Sequence, residues 1–187
     1  MPSYSGCNVT NPSFGSNRTF APPSGSSVYV ICNGMNASGS GTITFNPGIY
    51  IFDRGTVNIS GSFTIKATGG VTLIFTSSTG SSYATFRLDG SSNVTLNAPT
   101  TGPTSGVALW IDKNSTSSLV IDGSQILKYT GAIYAPNAAT TLTGSSTSTC
   151  TQMIVKTLLL DGSQALKHDC SGYAVRDVGT SVMTMVE

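Results

Sequence analysis

The sequence IDGSQILK at residues 121–128 recurs almost unchanged as LDGSQALK at residues 160–167. Shorter versions of the same pattern are LDGSS at residues 88–92 and ISGSF at residues 59–63. The four copies begin at residues 59, 88, 121 and 160, so their spacing lengthens along the chain. A solenoid whose coils differ only in loop length produces such a drift, with Gly-Ser at a tight corner between two strand faces. The repeat therefore predicts similar, stacked coils.

The Asp and Gly residues of the repeat are interpreted as corner residues. An Asp side chain can cap a turn, and Gly supplies the positive φ that such corners often need. The predicted corner residues are Asp89, Gly90, Asp122, Gly123, Asp161 and Gly162. A stacked carboxylate column could instead bind Ca²⁺ or act in catalysis, and both remain alternatives to the turn role.

Short apolar runs such as Val71–Phe75 and Val107–Ile111 follow one another, separated by Gly, Pro, Asn and Asp. Several runs alternate apolar residues with Thr, the pattern of a strand with one buried face. We predict an all-β protein with one domain, a right-handed single-stranded parallel β-helix at residues 41–187 with an irregular N-terminal cap at residues 1–40. An antiparallel β-sandwich is the competing fold, although Asn-Gly hairpin dipeptides are almost absent.

The composition excludes several classes of protein. The chain has 187 residues, of which 28 are Ser, 26 are Thr and only 9% are charged, with a single Glu. Such a chain lacks the residues that usually fill helix surfaces, which argues against a helical bundle or a Rossmann-type enzyme. The net charge of +1 gives no electrostatic reason to expect nucleic acid or an anionic membrane as a partner.

The four cysteines predict two disulfides, one near each end of the chain. Cys7, Cys32, Cys150 and Cys170 contain no C-x-x-C pair, and with one histidine in the chain no zinc site is expected. Their placement suggests the pairs Cys7–Cys32 and Cys150–Cys170, although four cysteines allow three connectivities. Each bond would contribute roughly 3 kcal/mol and implies an oxidising compartment.

No catalytic residue, metal ligand or cofactor site is predicted. The only histidine, His168, has no G-x-S-x-G nucleophile motif to accompany it. Five aspartates could line the cleft of a polysaccharide-cleaving or polysaccharide-binding β-helix, which is the weaker alternative: Asp53, Asp89, Asp112, Asp122 and Asp161. Trp110 is expected in the core.

Threonine suggests another alternative, an ice-binding surface. Threonines between two apolar residues are expected to point outward from successive strands, and the candidates are Thr44, Thr64, Thr72 and Thr95. A flat ice-binding face would require one fixed repeat spacing, which these residues do not show.

Residues 41–187 resemble the C-terminal β-helical region of TadG-like proteins, which accompany the bacterial tight-adherence (Flp/Tad) pilus system. The matching segments occur in the same order as in that family. They are FNPGIYI at 45–51, LNAPTTG at 96–102, GVALW at 106–110, TGAIYAPN at 130–137, LTGSS at 142–146, CTQMIV at 150–155 and the final VE at 186–187.

The resemblance implies a non-enzymatic structural or adhesive module of an exported bacterial protein, secreted, displayed on the cell surface or held in the periplasm. Its implied partners are pilus or cell-envelope proteins and surface glycans, with no nucleic acid and no membrane contact from this segment. Family members usually carry an N-terminal membrane anchor, and some carry a von Willebrand A-like domain. The chain is therefore expected to be a C-terminal fragment of a longer protein.

Overall fold

A computed structural model describes residues 1–121, 126–167 and 169–171 and contains fifteen strands joined in one sheet. No helix that could cross a membrane occurs in this part of the chain. The strands are β1 (Val9–Thr10), β2 (Ser13–Phe14), β3 (Arg18–Phe20), β4 (Val28–Cys32), β5 (Met35–Phe45), β6 (Gly48–Asp53), β7 (Thr56–Ala67), β8 (Val71–Thr76), β9 (Thr85–Leu88), β10 (Asn93–Asn97), β11 (Val107–Ile111), β12 (Leu119–Ile121), β13 (Ile126–Leu142), β14 (Ser145–Leu160) and β15 (Ser163–Leu166).

The strands form three faces of a solenoid, because each strand pairs in parallel with the equivalent strand of the next coil. Face A contains β1, β4, β6, β8, β11 and the middle parts of β13 and β14. Face B contains β2, the first halves of β5 and β7, β9, β12 and the last parts of β13 and β14. Face C contains β3, the second halves of β5 and β7, β10, the first parts of β13 and β14, and β15.

The chain visits the faces in the order A, B, C and completes about seven turns. Every strand pair in the described part of the chain is parallel, which confirms the parallel β-solenoid and excludes the antiparallel sandwich. Parallel pairing already begins at Val9 and continues through β4 and β5, so stacked coils extend across the predicted boundary at residues 40 and 41.

The interior is filled by alternate side chains of all three faces. On face B, Val57 and Ile59 point inward and are buried, whereas Asn58 between them is partly exposed. Aromatic rings stack from coil to coil, as in the pair Phe52 and Phe75, whose ring centroids are 4.8 Å apart. Burial of these apolar side chains is the main source of the stability of the fold.

A column of glycines forms the corner between faces B and C. Gly61 and Gly90 occupy this corner in successive coils, with φ values of 104° and 92°. A Cβ atom on either residue would clash with the backbone of the glycine one coil earlier, Gly39 and Gly61 respectively. Gly162 has the same relation to Gly144. The repeat thus marks the place where backbones of adjacent coils approach most closely.

The predicted corner residues fall on this column. Asp89 and Asp161 directly precede Gly90 and Gly162, and the residues after both glycines donate backbone hydrogen bonds to the coil before. Asp122 and Gly123 lie outside the described residues.

Face A differs from faces B and C because its outer side is also apolar and buried. Outward side chains Val30, Ile51 and Ile74 form a second cluster, against which Tyr4 packs. The outer side of this face is therefore a second core, which explains the continuous apolar runs of its strands.

Both predicted disulfides are present. The bond between Cys7 and Cys32 ties the N-terminal segment to β4 on face A. The bond between Cys150 and Cys170 ties the chain after β15 back to β14. The described chain contains no free cysteine.

The last described coil exposes three consecutive leucines. Leu158, Leu159 and Leu160 are 43%, 58% and 42% exposed. Leu158 and Leu160 continue the inward columns of face B, because they pair with Thr140 and Leu142, both of which are buried. Their exposure follows from their position on the final coil.

We predict that Gly90→Ala destabilises the protein far more than Gly102→Ala, as measured by the free energy of unfolding in guanidinium chloride. Both glycines have positive φ, 92° and 87°, but only Gly90 faces a neighbouring backbone. Gly102→Ala should cost about 1–2 kcal/mol from the backbone conformation alone. Gly90→Ala adds a steric clash and should cost about 3–5 kcal/mol. Equal losses for the two variants would contradict close stacking at the corner.

Candidate functional site

The outer surface of face C is the most regular polar surface of the molecule. Two outward columns run along it from coil to coil. One contains Thr19, Thr44, Lys66, Thr95, Lys128 and Thr147. The other contains Thr42, Thr64 and Asn93, then Ile126, and then Ser145 and Ser163. Hydroxyl, amide and ammonium groups therefore repeat at the strand spacing of about 4.8 Å over most of the coils.

The structure places three of the four threonine candidates on this surface. Thr44 and Thr95 share one column and Thr64 lies in the other, and all three are partly exposed. Lys66 separates Thr44 from Thr95, so the column is not an unbroken array of threonines. This interruption gives the ice-binding alternative no support.

The outward exposure expected for Thr72 is wrong. Thr72 lies on the outer side of face A and is 0% exposed. Its hydroxyl donates to the Val107 carbonyl at 2.7 Å and lies 2.9 Å from the Thr104 hydroxyl. The loop before β11 buries Thr72. The alternation of apolar and polar residues in β8 could not predict this burial, because it depends on a loop that is distant in sequence.

Two hollows adjoin face C and share Asn97 and Thr130. The larger, of about 660 Å³, lies between the turns at residues 47–49 and 68–70 and the loop at residues 97–104, and no ionisable side chain lines it. The smaller, of about 390 Å³, is lined by Lys128 and Lys167 together with polar side chains. The pair of hollows forms a concave surface with two cationic groups and no carboxylate.

Tyr129 is among the residues around the smaller hollow, and it belongs to an inward column of face C. This side chain is 3% exposed, and burial raises the pKa of Tyr129 to about 12. Tyr129 is thus a neutral phenol at ordinary pH, and the positive charge of the hollow comes from the two lysines.

A cluster of polar side chains surrounds Asp53, the last residue of β6 on face A. Asp53 is 3% exposed, and its carboxylate accepts hydrogen bonds from the Ser78 backbone at 2.6 Å and the Ser78 hydroxyl at 2.9 Å. Arg54 donates to it at 3.3 Å, and so does the Tyr4 hydroxyl. A carboxylate with four donors and almost no solvent contact stabilises the fold and is inaccessible to a substrate.

The carboxylates of Asp112 and Asp89 are also held by local contacts. Asp112 accepts from the Thr76 hydroxyl at 2.7 Å and from the Asn114 backbone at 2.9 Å. Asp89 pairs with Arg87 at 2.6 Å. Within the described chain, no three His, Cys, Asp or Glu residues lie close enough to hold a metal ion. His168 lies outside the described residues.

Trp110 is placed differently from the expectation. It lies on the outer side of face A, partly exposed, where it packs against the second apolar cluster. Its ring contacts the ring of Tyr134 edge-on, with centroids 5.4 Å apart. The two rings are neighbours because β11 and β13 pair in register, a relation that their separation in sequence hides.

The lysines of face C were missed by the sequence-based selection of site residues. The signal was present in the repeat, since Lys66, Lys128 and Lys167 stand at the same offset from Gly61, Gly123 and Gly162. The overall composition gave no reason to look for these lysines, because a net charge of +1 does not indicate a local cationic surface.

Comparison with known proteins gives one match. A family model described as a domain of unknown function (DUF7305) matches residues 28–171, which is most of the solenoid. Neither the curated proteins nor the solved structures give a match.

We predict that Asp53→Asn lowers the free energy of unfolding by about 2–3 kcal/mol, because the amide replaces an acceptor of several hydrogen bonds by a group that also donates. Asp89→Asn is the matched control, since its ion pair with Arg87 is exposed and should contribute at most about 1 kcal/mol. Denaturant unfolding measures both. A loss for Asp53→Asn no larger than that of the control would show that the carboxylate has no structural role.

Alkaline pH should destabilise the protein through tyrosines whose pKa is raised in the folded state, including the partly buried Tyr4. Burial, followed by the charge of Asp53, raises the pKa of Tyr4 to about 12. An unfolded tyrosine ionises near pH 10, so the stabilising contribution is complete below about pH 10 and is lost as the pH rises toward 12. Tyr4→Phe removes one such group and should reduce the loss of stability between about pH 9 and pH 11. Identical losses in wild type and variant would contradict the raised pKa.

Proposed function

The chain belongs to the DUF7305 family, whose function is unknown, and we propose that it is a non-enzymatic structural or adhesive module that acts outside the cytoplasm. One observation carries the proposal. The outer surface of face C presents hydroxyl, amide and ammonium groups in columns that run over most of its coils. Many weak polar contacts at fixed spacing suit multivalent attachment better than the chemistry of a single reactive centre.

The arrangement of the carboxylates supports a non-enzymatic role. Glycoside hydrolysis uses two carboxyl groups that face one substrate bond. Here Asp53 is buried under four donors, and Asp89 and Asp112 are bound to Arg87 and Thr76. All three carboxylates therefore make contacts within the protein, and Asp53 is closed to a bound sugar.

The two disulfides are compatible with an oxidising periplasmic or extracellular environment. Together with the resemblance of residues 41–187 to TadG-like proteins, they support a place in a tight-adherence pilus apparatus. The partners would be pilus or cell-envelope proteins, or glycans of the surface to which the cell attaches.

Deletion of residues 28–171 from the chromosomal gene tests this function. We expect the deletion strain to attach less to a surface than wild type, because the solenoid supplies the contacts. A washed-surface attachment assay measures the loss, and complementation with the wild-type gene should restore it. Electron microscopy of the same strains should show whether pili are displayed. Unchanged attachment together with unchanged pilus display would refute the proposed function.

A further inference from the structure

Face C carries one lysine in each of three alternate coils. Lys66 lies in the third coil and Lys128 in the fifth, both in the same outward column, and Lys167 lies directly after the face C strand of the seventh. Adjacent strands are about 4.8 Å apart, so successive lysines are spaced by roughly 10 Å along the solenoid axis. The lysines therefore form a line along the long axis of the molecule, with Lys167 displaced to one side of the column of the other two. Arg18 of the first coil does not belong to this line, because it pairs with the buried, inward Ile43.

The charges of this line are largely uncompensated. The described face C strands contain no Asp or Glu. Lys66 and Lys128 are exposed, and neither forms an ion pair with a described residue. Of the described acidic residues at the B–C corner, Asp89 is paired with Arg87 and Asp161 is exposed. At the far end, hydrogen bonds from the Ser171 hydroxyl and backbone, with a smaller contribution from the charge of Lys167, lower the pKa of Asp169.

The smaller hollow gives this line a concave binding surface. Lys128 and Lys167 line it, together with Asn97, Thr130 and Thr147. These side chains offer ammonium, amide and hydroxyl donors within one recess, and no carboxylate among its lining residues would repel an anion. The recess continues through Asn97 and Thr130 into the larger, uncharged cleft.

We propose that face C binds an acidic polysaccharide that lies along the solenoid axis, an inference that rests on the proposed adhesive function. Carboxylates of the glycan pair with Lys66, Lys128 and Lys167, and the intervening sugar hydroxyls bond to the threonine and asparagine side chains. In an acidic glycan, neutral sugar atoms that carry hydroxyl groups separate one carboxylate from the next. Face C has a similar pattern, because hydroxyl and amide side chains separate its widely spaced lysines.

Nucleic acid fits this surface less well. Duplex DNA carries one charge for about every 1.7 Å of axis, far denser than one cation in roughly 10 Å. Single strands bind through aromatic rings on which the bases stack. The described outward columns of face C contain no aromatic residue, and the side chain of Tyr129 is buried.

Equilibrium binding to alginate, a soluble polyuronate, tests the proposal with the intact chain. Neutral dextran and duplex DNA serve as comparison polymers. We expect wild type to bind alginate in a salt-sensitive manner, dextran not measurably, and DNA more weakly than alginate. The double variant K66Q/K128Q should weaken alginate binding by about fivefold or more.

The double variant K113Q/K156Q is the matched control, because it removes the same charge from exposed lysines outside face C. It should change alginate affinity by less than about twofold. An equal loss in both variants would show binding to net charge only and overturn the proposal. Tighter binding to DNA than to alginate, or no alginate binding, would also overturn it. If these binding results overturn the proposal but the deletion strain still fails to attach, only the ligand class is wrong and the adhesive function stands.

Discussion

The close approach of glycine backbones at the corner between faces B and C is the contact on which the rest of the structure depends. No side chain fits between Gly61 and Gly90, so the coils are held there at the spacing of hydrogen-bonded strands. Once one corner is fixed in each coil, the strands on both sides of it must lie in register. The inward columns of the core and the outward columns of face C both follow from that register.

The repeat could be found in the sequence because a glycine that has no room for a Cβ atom leaves the same residue in every copy. The alternation of apolar and polar residues likewise predicted the inward and outward sides of faces B and C, as in Val57, Asn58 and Ile59. The cysteine pairs were predictable because each pair lies close together near one end of the chain. Local rules sufficed where a feature is set by one coil and its neighbour.

Features that depend on loops and long-range register were not predictable. Thr72 is buried rather than exposed, because a loop covers it. Trp110 lies on the outer side of face A rather than in the core, because it packs against the outer apolar cluster. Both lie on face A, where burial on two sides erases the alternation that distinguishes core from surface. The contact of Tyr4 with Asp53 joins residues that only the fold brings together. The lysines share an offset within the sequence repeat, but only the fold shows that Lys66 and Lys128 lie two coils apart in one outward column.

The position of the disulfides has a mechanical consequence. In a solenoid each coil contacts only its neighbours, so a pull on one end can detach coils one after another, each time breaking a single row of hydrogen bonds. The bond between Cys7 and Cys32 carries tension from the N-terminal segment into β4. The bond between Cys150 and Cys170 carries it into β14 at the other end. A load applied on the outer side of either disulfide therefore meets a covalent link before it can peel the outermost coils, a property that the proposed adhesive role would use under flow.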